Sequence, residues 1–98
     1  MGFVQIIEFN AENVDDVRAL EAEWEKATEG ERTVRRSVIT NDRNNANRYV
    51  IIVFFDSYES AMENSELAAT QSFAEGVAKL ADGPVSFQDL DVIEDRGF

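Results

Sequence analysis

A chain of 98 residues carrying 44% hydrophobic side chains is long enough for one packed core and too short to divide, so one domain spanning residues 1–98 is expected. Its net charge of −11, from 20 acidic against 9 basic residues, repels phosphate backbones and anionic lipid, which argues against nucleic acid and membrane as partners. With no cysteine and no histidine, it lacks thiolate nucleophiles, disulfides, iron–sulfur ligands and the imidazole of Ser-His-Asp chemistry and of histidine-ligated haem or zinc.

Residues 3–9 (FVQIIEF) are β-branched and aromatic without a breaker and predict a strand. Asn13, with Asp16 three residues on, forms a helix-start pattern. Val14, Val17, Leu20, Trp24 and Ala27 then recur at steps of three and four, predicting an amphipathic helix that Gly30 follows. The glutamates of the helices are read as a solvated face.

Residues 33–40 (TVRRSVIT) and 48–56 (RYVIIVFFD) predict two strands joined by the polar, Asn-rich residues 41–47. That linker resembles a calcium loop in its Asp and Asn spacing but lacks the central glycine and closing glutamate, so a plain hairpin connection and no metal are expected. The longest apolar run, residues 50–55, is far short of the ~20 residues of a membrane-spanning helix. No secretory leader pattern opens the chain, and a cytoplasmic protein is expected.

Asp56 and Glu59 form a second helix-start pair, opening a helical region over residues 57–81. Ala69, Phe73, Val77 and Leu80 share a face of its second half, and the polar stretch around Asn64 predicts a break there. Asp82-Gly83-Pro84 stops the helix, and residues 85–93 (VSFQDLDVI) predict the last strand. The order is β-α-β-β-α-β, which by two interlocked right-handed βαβ units gives an α+β, ferredoxin-like, four-stranded antiparallel sheet with its helices on one face.

The third strand does not alternate. Val50, Ile52 and Phe54 fall on one face and Tyr49, Ile51, Val53 and Phe55 on the other. Leaving such a second face wet exposes an apolar patch beyond the ~300–600 Å² usual for monomers. Burial against a second copy is therefore expected, giving a homodimer through the sheet face; the alternative is a monomer whose tail covers it. Arg36, between Val34 and Val38 on one side of its strand, needs a partner, and Asp89 or Asp91 is the expected one, within the sheet or across the dimer.

The segment 64–74 (NSELAATQSFA), followed by 80–87 (LADGPVSF) leading into 89–92 (DLDV), resembles the antibiotic biosynthesis monooxygenase-like domains of the dimeric α/β-barrel superfamily. The resemblance spans essentially the whole chain. It implies a pocket between helices and sheet, and oxidation by O₂ of a small apolar aromatic or phenolic compound without metal, flavin or other cofactor. Haem-degrading relatives use a histidine that this chain does not have. Asn64 matches the helical asparagine of the quinone-forming subgroup, whereas Ala68 stands one turn on where that subgroup has an aromatic.

Asn64 is thus the candidate catalytic residue: its carboxamide can donate to a substrate oxygen as negative charge develops there. The alternative reading of Asn64 is a helix N-cap. Trp24, Tyr49, Tyr58 and Phe73 are the candidate pocket residues, each with an alternative role in packing. Two functions stay open: a cofactor-independent monooxygenase, or a non-catalytic dimeric small-ligand-binding or structural module of the same fold.

Overall fold

The computed structural model describes residues 2–98. Strand β1 (Phe3–Asn10) leads to helix α1 (Val14–Ala27), the hairpin strands β2 (Arg36–Asn41) and β3 (Arg48–Phe55), helices α2 (Tyr58–Glu66) and α3 (Ala68–Leu80), and strand β4 (Ser86–Asp91). All three strand pairs are antiparallel and the spatial order is β2-β3-β1-β4. This is the ferredoxin-like arrangement expected from the order of elements, with the second helical region split in two.

The alternation of each central strand decides which side chains meet the helices. Phe3, Ile7 and Phe9 of β1 and Tyr49, Ile51 and Phe55 of β3 are buried. Ile7, Phe9, Tyr49 and Ile51 pack with Ala11, Val17 and Val77 in the main core, while Phe3, Phe55 and Ala61 form a second cluster. The alternate residues Val4, Ile6, Val50, Ile52 and Phe54 point away from the helices and are only half-buried. The tail leaves that face open, since Ile93 is 88% and Phe98 113% exposed.

Asn13 caps α1 by accepting from the Asp15 N–H at 3.0 Å. Gly30, with φ of 81°, turns the chain two residues beyond the Thr28 C-cap. Four local expectations are corrected. The cap of α2 is Ser57, in a reciprocal box with Ser60, because the Asp56 carboxylate is held by Arg35 at 2.6 and 2.8 Å. The helix break falls at Leu67, whose extended backbone (φ −65°, ψ 133°) ends α2 and starts α3 with no side-chain cap. Asn64 is consequently not an N-cap; it lies in the last turns of α2. Arg36 cannot pair with Asp89 or Asp91 within the sheet, because β2 and β4 are opposite edges; its guanidinium lies 5.5 Å from the centre of the Phe54 ring instead.

The Asn-rich linker satisfies itself. Asp42 and Asn45 accept backbone N–H bonds two residues on, and the Asn41 amide donates to the carbonyls of Ala46 and Arg48. Among the described residues no group of three or more acidic side chains is gathered so as to hold a metal ion. Among the described residues no helix is long and apolar enough to cross a membrane.

Candidate functional site

Between the two core clusters the sheet presents one inward-facing row that is mostly polar. In register across the four strands it runs Ser37, Val53, Gln5, Asp89, and the Gln5 amide donates to Asp89 Oδ1 at 3.1 Å. Rows of the large apolar residues Phe3–Phe55 and Ile7–Ile51 flank it on either side. The short, polar row leaves space beneath the helices, and a cavity of about 330 Å³ opens there. That volume lies at the lower end of the ~300–1,000 Å³ typical of small-molecule sites.

Helix α1 supplies the roof. Val14, Val17, Glu21, Trp24 and Thr28 follow one another at steps of three and four, so they form one stripe along the helix. Val17 and Thr28 are fully buried, and Glu21 and Trp24 between them line the cavity. The α1–α3 crossing is close, since a Cβ at Gly76 would stand 2.8 Å from Leu20 Cδ1. The Trp24 indole donates to Thr70 Oγ1 of α3 at 2.9 Å. Its only polar atom is therefore spent on the wall, and what it offers a ligand is ring surface. Phe73 of α3 completes this side.

Among the described residues, two polar side chains in the cavity wall each carry a buried oxygen without a hydrogen-bond partner. Asn64, only 7% exposed, has a fully buried Oδ1 with no hydrogen bond. Glu21 has a fully buried, unpartnered Oε1. Burial pushes the Glu21 carboxyl above its ordinary value; Arg18 opposes this and Glu25 adds to it. Uncompensated burial of a polar group costs free energy, so both atoms mark a site at which packing has not been completed by the chain itself.

Arginines stand at the rim. Arg32 donates to the Glu25 carbonyl at 2.8 Å and its guanidinium sits 5.9 Å from the Trp24 ring centre. Arg35 is held by Asp56, whose carboxyl it keeps below the usual range through their hydrogen bond. Both are exposed.

Of the residues expected at the pocket, Trp24, Asn64 and Phe73 line it together. Tyr49 and Tyr58 do not. Tyr49 belongs to the main core against Phe9, ring centres 5.9 Å apart. Tyr58 is 51% exposed at the start of α2 and packs edge-on to Phe3 at 5.5 Å. Their positions at the ends of β3 and α2 fall outside the middle row where the space lies. Glu21 and Gln5 were not expected here. Both carried a signal: Glu21 interrupts the Val14–Val17–Trp24 stripe, and Gln5 occupies an inward position between Phe3 and Ile7.

No protein-family profile matches the sequence and no curated protein resembles it. Solved structures do. A candidate antibiotic biosynthesis monooxygenase from Nitrosomonas europaea is 16% identical over 98% of this chain and 94% of its own, with a TM-score of 0.73. SnoaB, a cofactor-independent oxygenase from Streptomyces nogalater, is 10% identical over 96% and 95%, with a TM-score of 0.78. A candidate antibiotic biosynthesis monooxygenase from Deinococcus radiodurans is 12% identical over 98% and 97%, again at 0.78. The chain has the fold of the antibiotic biosynthesis monooxygenase-like proteins.

Proposed function

We propose that this protein is a cofactor-independent monooxygenase-like protein that takes a small aromatic or phenolic compound into the cleft between helices and sheet. The observation that carries the reading is the cavity itself: a half-open cleft walled by Trp24, Phe73, Val53 and Ile51, with the Asn64 carboxamide in its lining and its Oδ1 without a partner among the described residues. An aromatic ring matches those walls, and a carboxamide can stabilise negative charge growing on a ring oxygen as the ligand becomes an electron donor to O₂. For an anthrone the balance is simple. The ring CH₂ becomes C=O, one oxygen atom of O₂ enters the product and the other leaves as water.

Oxygen uptake with a panel of anthrones and hydroquinones tests this. We expect turnover in the wild type, with one O₂ consumed per anthrone oxidised, falling about 10²-fold or more in Asn64→Ala, the scale of losing an oxyanion donor. No uptake above the uncatalysed rate, or uptake indifferent to Asn64→Ala, rejects the oxygenase reading.

One observation favours a second reading. Ala68 stands at the start of α3, one turn past Asn64, where the quinone-forming subgroup has an aromatic. A non-catalytic module would fill the same cavity with a ligand and consume no oxygen.

A homodimer through the open sheet face belongs to either reading. Val4, Ile6, Val50, Ile52 and Phe54 present a continuous, half-buried apolar surface, and Leu90, 43% exposed, extends it onto β4. A second sheet removes that surface from water. Light scattering at micromolar concentration should give twice the 11.0 kDa chain mass, and Ile52→Lys should return a monomer; a wild-type monomer mass rejects the pairing.

A further inference from the structure

The oxygenase and module readings both leave Glu21 without a task. A carboxyl on the inward stripe of α1 is out of place by packing alone, since apolar residues precede it and Trp24 follows it on the same face. It lines the cavity together with Asn64, and among the described residues a carboxyl oxygen of Glu21 and the Oδ1 of Asn64 have no hydrogen-bond partner. We propose that Glu21 is a ligand-binding residue, its carboxylate accepting the hydrogen of a phenolic or enolic hydroxyl while the Asn64 amide meets a second, carbonyl oxygen of the same aromatic ligand. The inference rests on the cavity being a ligand site and goes on to name the functional groups its occupant carries.

The surroundings of Glu21 decide what it can do with that hydrogen. Arg18 and Glu25 flank it on α1. Arg32, Arg35 and Arg36 line the same cavity from the segment leading into β2 and from β2 itself, with Arg32 committed to Glu25 and Arg35 to Asp56. From β4 the nearest charge on the inward row is Asp89, held by Gln5. The groups facing it from β1, β3, α2 and α3, namely Gln5, Val53, Asn64, Thr70 and Phe73, are uncharged. Among the described residues no cation forms an ion pair with the carboxyl, Arg18 being paired with Asp15 and reaching Glu21 only through its charge, and a hydroxyl donor is the partner that satisfies it without a second charge. A phenol ordinarily ionises about six units above a glutamate. Burial of Glu21 narrows that gap, but the hydrogen stays on the ligand oxygen and is shared, which makes Glu21 a recognition group in the resting complex.

The test uses calorimetric titration with 4-hydroxyacetophenone and its methyl ether, 4-methoxyacetophenone. These probes share ring and carbonyl and differ only in the hydroxyl hydrogen. With wild-type protein near pH 6.5 the hydroxyl compound should bind about tenfold tighter, the low end for a hydrogen bond to a charged acceptor. That advantage should shrink as pH falls through the Glu21 titration, because a protonated carboxyl is the weaker acceptor. Glu21→Gln, close in shape and with circular dichroism confirming its fold, should remove the pH dependence and most of the preference. Equal binding of the two probes by the wild type, or a preference that survives Glu21→Gln unchanged, overturns the role of Glu21 and leaves the cavity reading standing. Failure of either probe to bind at millimolar concentration overturns both. The wild-type pH series alone suffices should the variant not fold.

Discussion

The inward face of the sheet is built twice over, in one region to exclude everything and in the next to leave room. Around Phe9 and Tyr49 the helices and strands close on each other, with Val17 and Val77 filling the gap and all of these residues buried. Four residues further back along β1 the same helices arch over Gln5, and the space holds a cavity of about 330 Å³. The backbone hardly differs between these regions, since both lie on the regular ladders β2-β3-β1-β4. Side-chain size and polarity make the difference: Phe9 and Tyr49 fill the first region, whereas the row through Ser37, Val53 and Gln5 is short. A pocket in this fold is thus made by one under-filled row between two filled ones.

The largest expected effect tests that contrast directly. Phe9→Ala removes a ring that is 97% buried, its residual exposure being 3%, and should cost about 3–5 kcal/mol, as large-to-small core changes do. Phe73→Ala removes a ring of the same kind from the wall shared by the main cavity and a smaller one of about 220 Å³ beside it. Its neighbours already lack atoms on two sides, so the loss should be about half as great. Urea unfolding of both variants measures the difference. Equal losses would mean that the cavity closes in solution and that the two regions are packed alike.

How much of this was legible beforehand follows the same division. Strand and helix identities came from period and composition, and β1, α1 and β3 lie within a residue of where those signals put them. The helix break expected near Asn64 falls three residues on, because Leu67 ends α2 through an extended backbone rather than through a polar cap. The Asp56–Glu59 pair misled for a related reason: a carboxylate that resembles a cap was claimed by Arg35 across a turn. The inward helix faces carry Trp24 and Phe73 towards the helix–sheet cleft, and the family resemblance points to Asn64; all three line the cavity. Tyr49 and Tyr58 were not separable from them, since aromatic identity says nothing about which row of the sheet a ring stands over. The within-sheet partner expected for Arg36 fails because β2 and β4 are opposite edges of the sheet.

Glu21 shows where periodic reading fails and why. A glutamate on a helix is ordinarily solvated, and most of those in this acidic chain are exposed; only the placement of Glu21 between Val17 and Trp24 sets it apart. That placement predicts the smallest effect, and one of unusual sign. Burial raises the Glu21 pKa, so between its unfolded and folded values the native state binds the extra proton, and stability falls as pH rises through that window. Above it the buried carboxylate is a standing cost. Glu21→Gln should therefore stabilise the protein at neutral pH, by under about 1 kcal/mol once the partial exposure of the group is allowed for. The gain should fade as pH is lowered past the ordinary glutamate range, where the wild-type carboxyl is already neutral. Thermal melts of the two proteins at neutral and acidic pH give the comparison. A variant less stable than wild type at neutral pH would mean that Glu21 is tied into the packed region after all, and that the under-filled row ends before it reaches the roof.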